Sequence, residues 1–372
     1  ELLESDLVVE VGAEPPGSGR PGRRRLLVDL NPRGLYVVGV HLGVRSIQTG
    51  VGDLRGRLLS RSTIPVGDDH SPARVLSLVC DQVRALLDRT PVPIGRVCGV
   101  GVGTVGLVNS ATGEILQLPQ LGWRGVPAGQ QLSAQLQLPV VVDNSRRAMV
   151  MAEAWLGQGR GLDSIMLVHV ATTVGGAVAV RGEVLPGSNY AAGQLGHLIV
   201  IEHGQPCACG KLGCLDTVAS GAAIMAEAAR AAREGRSSLL LELAGGNSEK
   251  TSLDHVFAAA AQDDPAATAI VDRAARFLGV GVAHYISLLD PKVIVLAGVV
   301  PRLGGARYRS RVAAVANERS CRPNSDPVTL VPPTFGEDLE LVGAFSLALR
   351  RLIYSEGLVL ANGRIGNNAE GT

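Results

Sequence analysis

A two-lobe α/β fold is what this sequence predicts, and three observations carry that expectation. The chain has 372 residues, 46% of them hydrophobic and 19% charged, which is more apolar material than one ordinary core needs. Strand-like runs separated by glycine-containing turns follow one another from residue 36, and strands and helices then alternate. The alternation restarts near residue 164, so the pattern occurs twice and describes two related lobes with a cleft between them.

The elements read in order as follows. Residues 36–40, 46–51 and 57–65 are three successive antiparallel strands, and 71–89 carries the apolar spacing of an amphipathic helix. A buried strand over 97–102 runs into a Gly-rich turn, and a strand over 140–143 feeds a helix over 146–157. The second half holds strands at 164–171 and 175–180, a cysteine-rich loop, and Ala-rich helices at 221–234 and 265–289. A strand at 293–296, a helix at 308–318, a strand at 328–331 and a last helix at 343–354 complete it. The first lobe is assigned to 31–143, completed by the C-terminal helix at about 343–356, and the second to 144–342; the polar residues 357–372 are expected to be disordered.

Composition narrows the function classes. Lys plus Arg number 35 against 34 Asp plus Glu, so no global positive field draws the chain to nucleic acid and any DNA contact must be local. The apolar stretch 288–300 contains Asp290 and Lys292 and is too short to span a bilayer, and no charged segment leads into an apolar core at the start. These features place the protein in the cytoplasm. Six cysteines suit a disulfide scaffold only in a much shorter chain; three crowd into 207–214, whereas Cys80, Cys98 and Cys321 sit singly. The clustering points to a metal.

Residues 1–30 read as the end of a preceding module. A helix end, an alternating run over 7–11, a Gly/Pro/Arg tip and a second run over 26–30 would form the β-wing of a winged helix whose earlier helices lie outside this sequence. On such a tip Arg20, Arg23 and Arg24 would pair with DNA phosphates. A clipped or disordered arm carrying a solvated charge run is the other reading.

Four motifs occur in order: Leu121-Gly-Trp123, Ala152-Glu-Ala-Trp-Leu-Gly157, Gly193-Gln-Leu-Gly-His197 and Cys207-Ala-Cys-Gly-Lys-Leu-Gly-Cys-Leu-Asp216. With them the chain resembles the repressor, open-reading-frame and kinase (ROK) family, from the N-terminus to about residue 355. The resemblance implies an actin-like ATPase, ribonuclease H-like fold. It also likens residues 1–30, with Gly19-Arg-Pro-Gly22, to the wing and linker of the family's regulators, which carry a helix-turn-helix that its kinases lack.

His197, Cys207, Cys209 and Cys214 offer one imidazole and three thiolates, a donor set suited to a closed tetrahedral structural zinc. Free thiols in a tight turn are the alternative on residue types alone, and the spacing matches the family's zinc motif. The resemblance further implies that this histidine touches a sugar. Cys98 and Cys321 read as ordinary thiols.

A sugar kinase needs a base for the hydroxyl proton, backbone donors for phosphate and a carboxylate for magnesium. Where family kinases place an Asp-Ile-Gly-Gly-Thr-like turn, this chain has His41-Leu-Gly-Val-Arg45, and Val44 obstructs close approach of phosphate to the backbone. Arg45 is either an anion ligand or a solvated arginine. The family's Asn-Asp pair falls on Asn144 and Ser145, and its next asparagine on Arg147; a lone Ser hydroxyl is no base. Strand alternation would put Asp143 on the side of Ser145, about 7 Å away at two residues of strand rise. Resemblance places effector contacts at Gln120, Asn144, Gln194, His197 and Asp216, where the family typically has Asn, Asn, Glu, His and Glu. Gln194 removes a charged acceptor and Asp216 has the shorter reach. The turn 171–176 and the run 296–299 keep parts of two further Gly-rich phosphate or adenosine segments.

The expected function is therefore the effector-sensing and oligomerising region of a transcriptional regulator, with no working catalytic centre, one structural zinc and a sugar-like effector. It would act as a homodimer or homotetramer and reach operator DNA through an N-terminal helix-turn-helix. An ATP-dependent, glucokinase-like sugar kinase using Asp143 and Arg45, or a ligand-free scaffold, are the alternatives.

Overall fold

Valine-rich runs without polar alternation form strands covered on both faces, as such runs do inside α/β layers. The computed structural model describes residues 3–13, 26–321, 326–354, 359–360 and 363–364. Its chain divides into two units, one of residues 1–152 with 338–372 and the other of residues 153–337. The division falls inside a helix, between Ala152 and Glu153, nine residues beyond the boundary that the sequence suggests.

In the first unit β1 (Val8–Ala13) pairs antiparallel with β2 (Leu26–Leu30). Leu3–Asp6 forms turns where a helix end was expected, and Arg20, Arg23 and Arg24 lie outside the described residues. Next come β3 (Tyr36–Leu42), β4 (Ser46–Asp53), β5 (Leu58–Pro65), α1 (Pro72–Arg89) and β6 (Val97–Thr104). The sequence did not announce β7 (Leu107–Asn109), β8 (Glu114–Leu118) and β9 (Trp123–Val126), which make a separate three-stranded antiparallel sheet, nor α2 (Ala128–Leu136). β10 (Val140–Asn144) then leads directly into α3 (Ser145–Leu156). The main sheet has the order β10-β6-β3-β4-β5, with β3, β6 and β10 parallel and β4 and β5 antiparallel to their neighbours.

The second unit repeats the plan. β11 (Ser164–Val170), β12 (Val174–Val180) and β13 (Glu183–Val184) form an antiparallel run. Helices α4 (Asp216–Ala219), α5 (Gly221–Arg233), α6 (Ser238–Leu243), α7 (Leu253–Ala261) and α8 (Pro265–Leu289) follow. β14 (Val293–Ala297), α9 (Val299–Arg319) and β15 (Thr329–Val331) complete the sheet β13-β12-β11-β14-β15. The helix read from sequence at 308–318 thus starts nine residues earlier. Pro301 sits in the first turn, where no backbone donor is lost, and the chain breaks at Gly305 (φ 57°, ψ −150°) before continuing.

The chain returns to the first unit as α10 (Leu339–Ala348), which ends in a π-helical turn, Leu349–Tyr354. Gly101 of β6 is what lets α10 lie on the sheet: a Cβ there would stand 1.9 Å from the Ala344 carbonyl oxygen. In the tail, where disorder was expected, β16 (Val359–Leu360) pairs with β17 (Gly363–Arg364); its other residues are outside the described ones. Each unit buries its own apolar cluster, one around Val38, Val100 and Leu132, the other around Met166, Ile294 and Val312. No helix among the described residues is long and apolar enough to cross a membrane.

Candidate functional site

The cysteine-rich segment follows the 3₁₀ turn Leu195–His197 of the second unit. Bridges of Ile199 to Cys214 and Pro206 to Leu212 fold it back on itself, and the Cys207 N–H donates to the Lys211 carbonyl. Gly213 makes the fold possible: its φ is +70°, and a Cβ would fall 1.6 Å from the Ile201 carbonyl oxygen. The result gathers one donor atom each from His197, Cys207, Cys209 and Cys214 within 4.8 Å of one another. Cys207 Sγ stands 3.6 Å from His197 Nδ1, and Cys209 Sγ 3.6 Å from Cys214 Sγ.

These distances are those of ligands around one small ion, since Zn–S bonds near 2.3 Å in a tetrahedron set sulfurs a little under 4 Å apart. The electrostatics agree. Burial, then the neighbouring thiols, push the Cys214 thiol up to about 12, whereas the backbone N–H of Lys211 holds Cys209 below its usual range. Three thiols this close resist joint ionisation, and a divalent cation reverses that preference. The cluster therefore can hold a metal, with the Nδ1 side of His197 turned toward it.

The five effector candidates divide between the units. Gln194, His197 and Asp216 belong to the second unit. Gln194 is exposed immediately before the 3₁₀ turn, and the His197 N–H bonds to its carbonyl. Asp216 opens α4 and accepts the Val174 N–H at 2.6 Å through Oδ1, so one carboxylate oxygen is already engaged by the backbone of β12. Gln120 and Asn144 belong to the first unit. Gln120 is exposed on the 3₁₀ turn after β8. Asn144 is braced: Nδ2 donates to the Gly106 carbonyl at 2.8 Å, and Oδ1 accepts the Arg146 N–H at 2.9 Å. That second bond caps the first turn of α3.

The positions at which a kinase would keep its chemistry carry other interactions. His41 is 7% exposed at the end of β3, with Nε2 3.8 Å from Glu340 Oε2. Val44 packs against the apolar cluster of its unit, and Arg45 is exposed. Ser145 is not a strand residue in line with Asp143, as alternation suggested. The strand ends at Asn144 and Ser145 begins α3. Asp143 turns to Arg147 instead: Nε donates to Oδ1 at 2.7 Å, Nη2 contacts the same oxygen, and Nη2 also donates to the Val108 carbonyl at 2.7 Å. This is the feature that reading the sequence missed. The i,i+4 spacing of Asp143 and Arg147 was the available signal.

A model of the ROK family matches residues 37–351. The chain belongs to the ROK family. A glucokinase of Halalkalibacterium halodurans is 33% identical over 270 residues, 72% of this chain and 82% of that protein. The xylose repressor of Caldicellulosiruptor bescii is 24% identical over 322 residues, 86% of this chain and 79% of the repressor. The crystal structure of a ROK family transcriptional regulator, a homologue of the E. coli MLC protein, superposes with a TM-score of 0.79 at 25% identity, covering 94% of this chain and 86% of the regulator. ROK membership fixes the fold class as the actin-like α/β one. Both sugar kinases and repressors are among this chain's relatives.

Proposed function

We propose that this chain is the effector-binding and oligomerising region of a ROK transcriptional regulator, that it senses a sugar-like molecule, and that it transfers no phosphate. The observation that carries the reading is the sealed pair of Asp143 and Arg147 beside Ser145. A general base must reach the substrate hydroxyl, directly or through one water. Asp143 is held by a guanidinium and by the Asn144 N–H, and Ser145 brings no proton acceptor of its own. The phosphate side adds support, because Val44 occupies the turn with a packed side chain and His41 replaces the acidic residue.

Coverage supports the regulator branch as well. By sequence the xylose repressor matches 86% of this chain against 72% for the glucokinase, and by structure the regulator matches 94% against 83% for a Streptomyces griseus glucokinase. In this reading Gln120, Asn144, Gln194, His197 and Asp216 hold the effector, and a zinc ion bound by His197, Cys207, Cys209 and Cys214 fixes the loop that presents His197. The ion supplies structure only, through four protein ligands and no open position. An effector acts through its differential affinity for two conformations of the body. Arg20, Arg23 and Arg24, which lie between β1 and β2 in the sequence, would meet the DNA backbone as the protein works as a homodimer or homotetramer. The 33% identity to a glucokinase favours the competing kinase reading, which requires Asp143 to leave Arg147. A phosphotransfer assay with magnesium–ATP and a panel of hexoses and amino sugars tests the choice. The proposal expects no sugar-dependent turnover; steady turnover with any one sugar overturns it.

A further inference from the structure

The second unit contains a cavity that none of the candidate ligand residues lines. It has a volume of about 110 Å³ and lies among α7, α8 and α9, with Phe257, Thr268, Asp272, Leu303, Arg307 and Tyr308 in its wall. The space lies beside the break in α9 at Gly305, with Gly304 and Tyr308 lining it on either side of the break. Phe257 and Tyr308 meet edge to face, their ring centres 6.3 Å apart.

Two hydroxyls of this wall lack a protein partner. Tyr308 is 2% exposed, and neither its phenol oxygen nor Thr268 Oγ1 makes a hydrogen bond. Burying such a group without a partner is unfavourable, and buried polar groups in folded proteins are nearly always satisfied. Burial also pushes the Tyr308 phenol up, so it stays a neutral donor. The remaining wall is apolar apart from Asp272 and Arg307, one carboxylate and one guanidinium, which together leave no net charge. A purely apolar cavity of about 150 Å³ takes benzene, and this space, about a quarter smaller, has room for no more than one small ring.

We propose that this cavity is a second ligand site, for an uncharged ring of phenol size carrying one hydrogen-bonding group that bridges Tyr308 and Thr268. The apolar wall accepts the ring, and the two hydroxyls select for the polar group. Its place at the break of α9 sets it apart from the residues proposed for the sugar, and it stands whether or not the chain is a regulator.

Titration of the zinc-loaded protein with phenol, followed by calorimetry and by NMR of the methyl groups in the wall, tests it. Saturable binding is expected, with benzene weaker, and Tyr308→Phe and Thr268→Val should each weaken phenol by about tenfold, the worth of one hydrogen bond. Each variant removes a hydroxyl that has no partner in the free protein, so its melting temperature should equal or exceed the parent's, which shows that it folds. Three results overturn the proposal: no saturable binding of phenol, equal affinity for phenol and benzene in all three proteins, or displacement of phenol by adenosine, which would make the cavity part of a nucleotide pocket.

Discussion

The carboxylate of Asp143 and the guanidinium of Arg147 meet across the junction of β10 and α3, with side-chain exposures of 6% and 3%. Arg147 also reaches the Val108 carbonyl, and Asp143 Oδ1 also accepts the Asn144 N–H. A charge in this position is tolerable only while its partner is present.

Arg147→Ala should therefore cost about 3–5 kcal/mol in urea unfolding, since it strands a buried carboxylate. The double variant Asp143→Asn with Arg147→Met should cost clearly less than the sum of the single changes. Additive losses would show that the two residues are not coupled.

The metal loop gives a contrast between two glycines. Gly213→Ala places a Cβ 1.6 Å from the Ile201 carbonyl oxygen, whereas Gly210, with φ +85°, has nothing within 4 Å of its Cβ position. Metal analysis should find Gly213→Ala depleted of zinc, and Gly210→Ala loaded but destabilised by about 1 kcal/mol for its left-handed backbone. Equal metal content in the two would contradict the close packing of this loop.

Removing the ion should be visible in stability. Chelation, or Cys214→Ser, is expected to lower the melting temperature by about 4–8 °C, which corresponds to about 2 kcal/mol in a unit of this size. An unchanged melting curve after verified metal loss would rule out a structural role.

Cys98 predicts a pH dependence. Its thiol is buried in β6, donates to the Tyr36 carbonyl at 3.0 Å, and is raised by burial from 9.0 to about 12. Between those values the unfolded chain has released a proton that the folded chain keeps, so stability falls as pH rises through that window. Cys98→Ala should flatten the decline by up to about 1.4 kcal/mol per pH unit. Parallel curves for parent and variant would place the alkaline loss elsewhere, for example at Tyr308.

Much of this molecule was legible in its sequence where local chemistry decides the outcome. Hydrophobic runs announced the central strands and the long helices, and the crowding of three cysteines behind His197 announced a group of side chains that could hold a metal. What escaped depended on tertiary packing. Strands β7–β9 are three to five residues long and carry no period long enough to read. The start of α9 was hidden because Gly304 and Gly305 look like a stop, whereas the helix breaks there and resumes. Asp143 was read by strand alternation, which fails where β10 becomes α3 at Ser145. Two effector candidates, Asn144 and Asp216, prove to be engaged with the backbone, a fact that side-chain identity alone does not carry.

The central claim is that the phosphate-transfer machinery has been replaced, and nucleotide binding tests it most directly. Calorimetric titration of the zinc-loaded protein with magnesium–ATP, in the absence and presence of hexoses and amino sugars, should show no nucleotide heat, while one sugar or sugar derivative binds alone. Clear ATP binding that a sugar strengthens would contradict the account and return this chain to the kinases of its family.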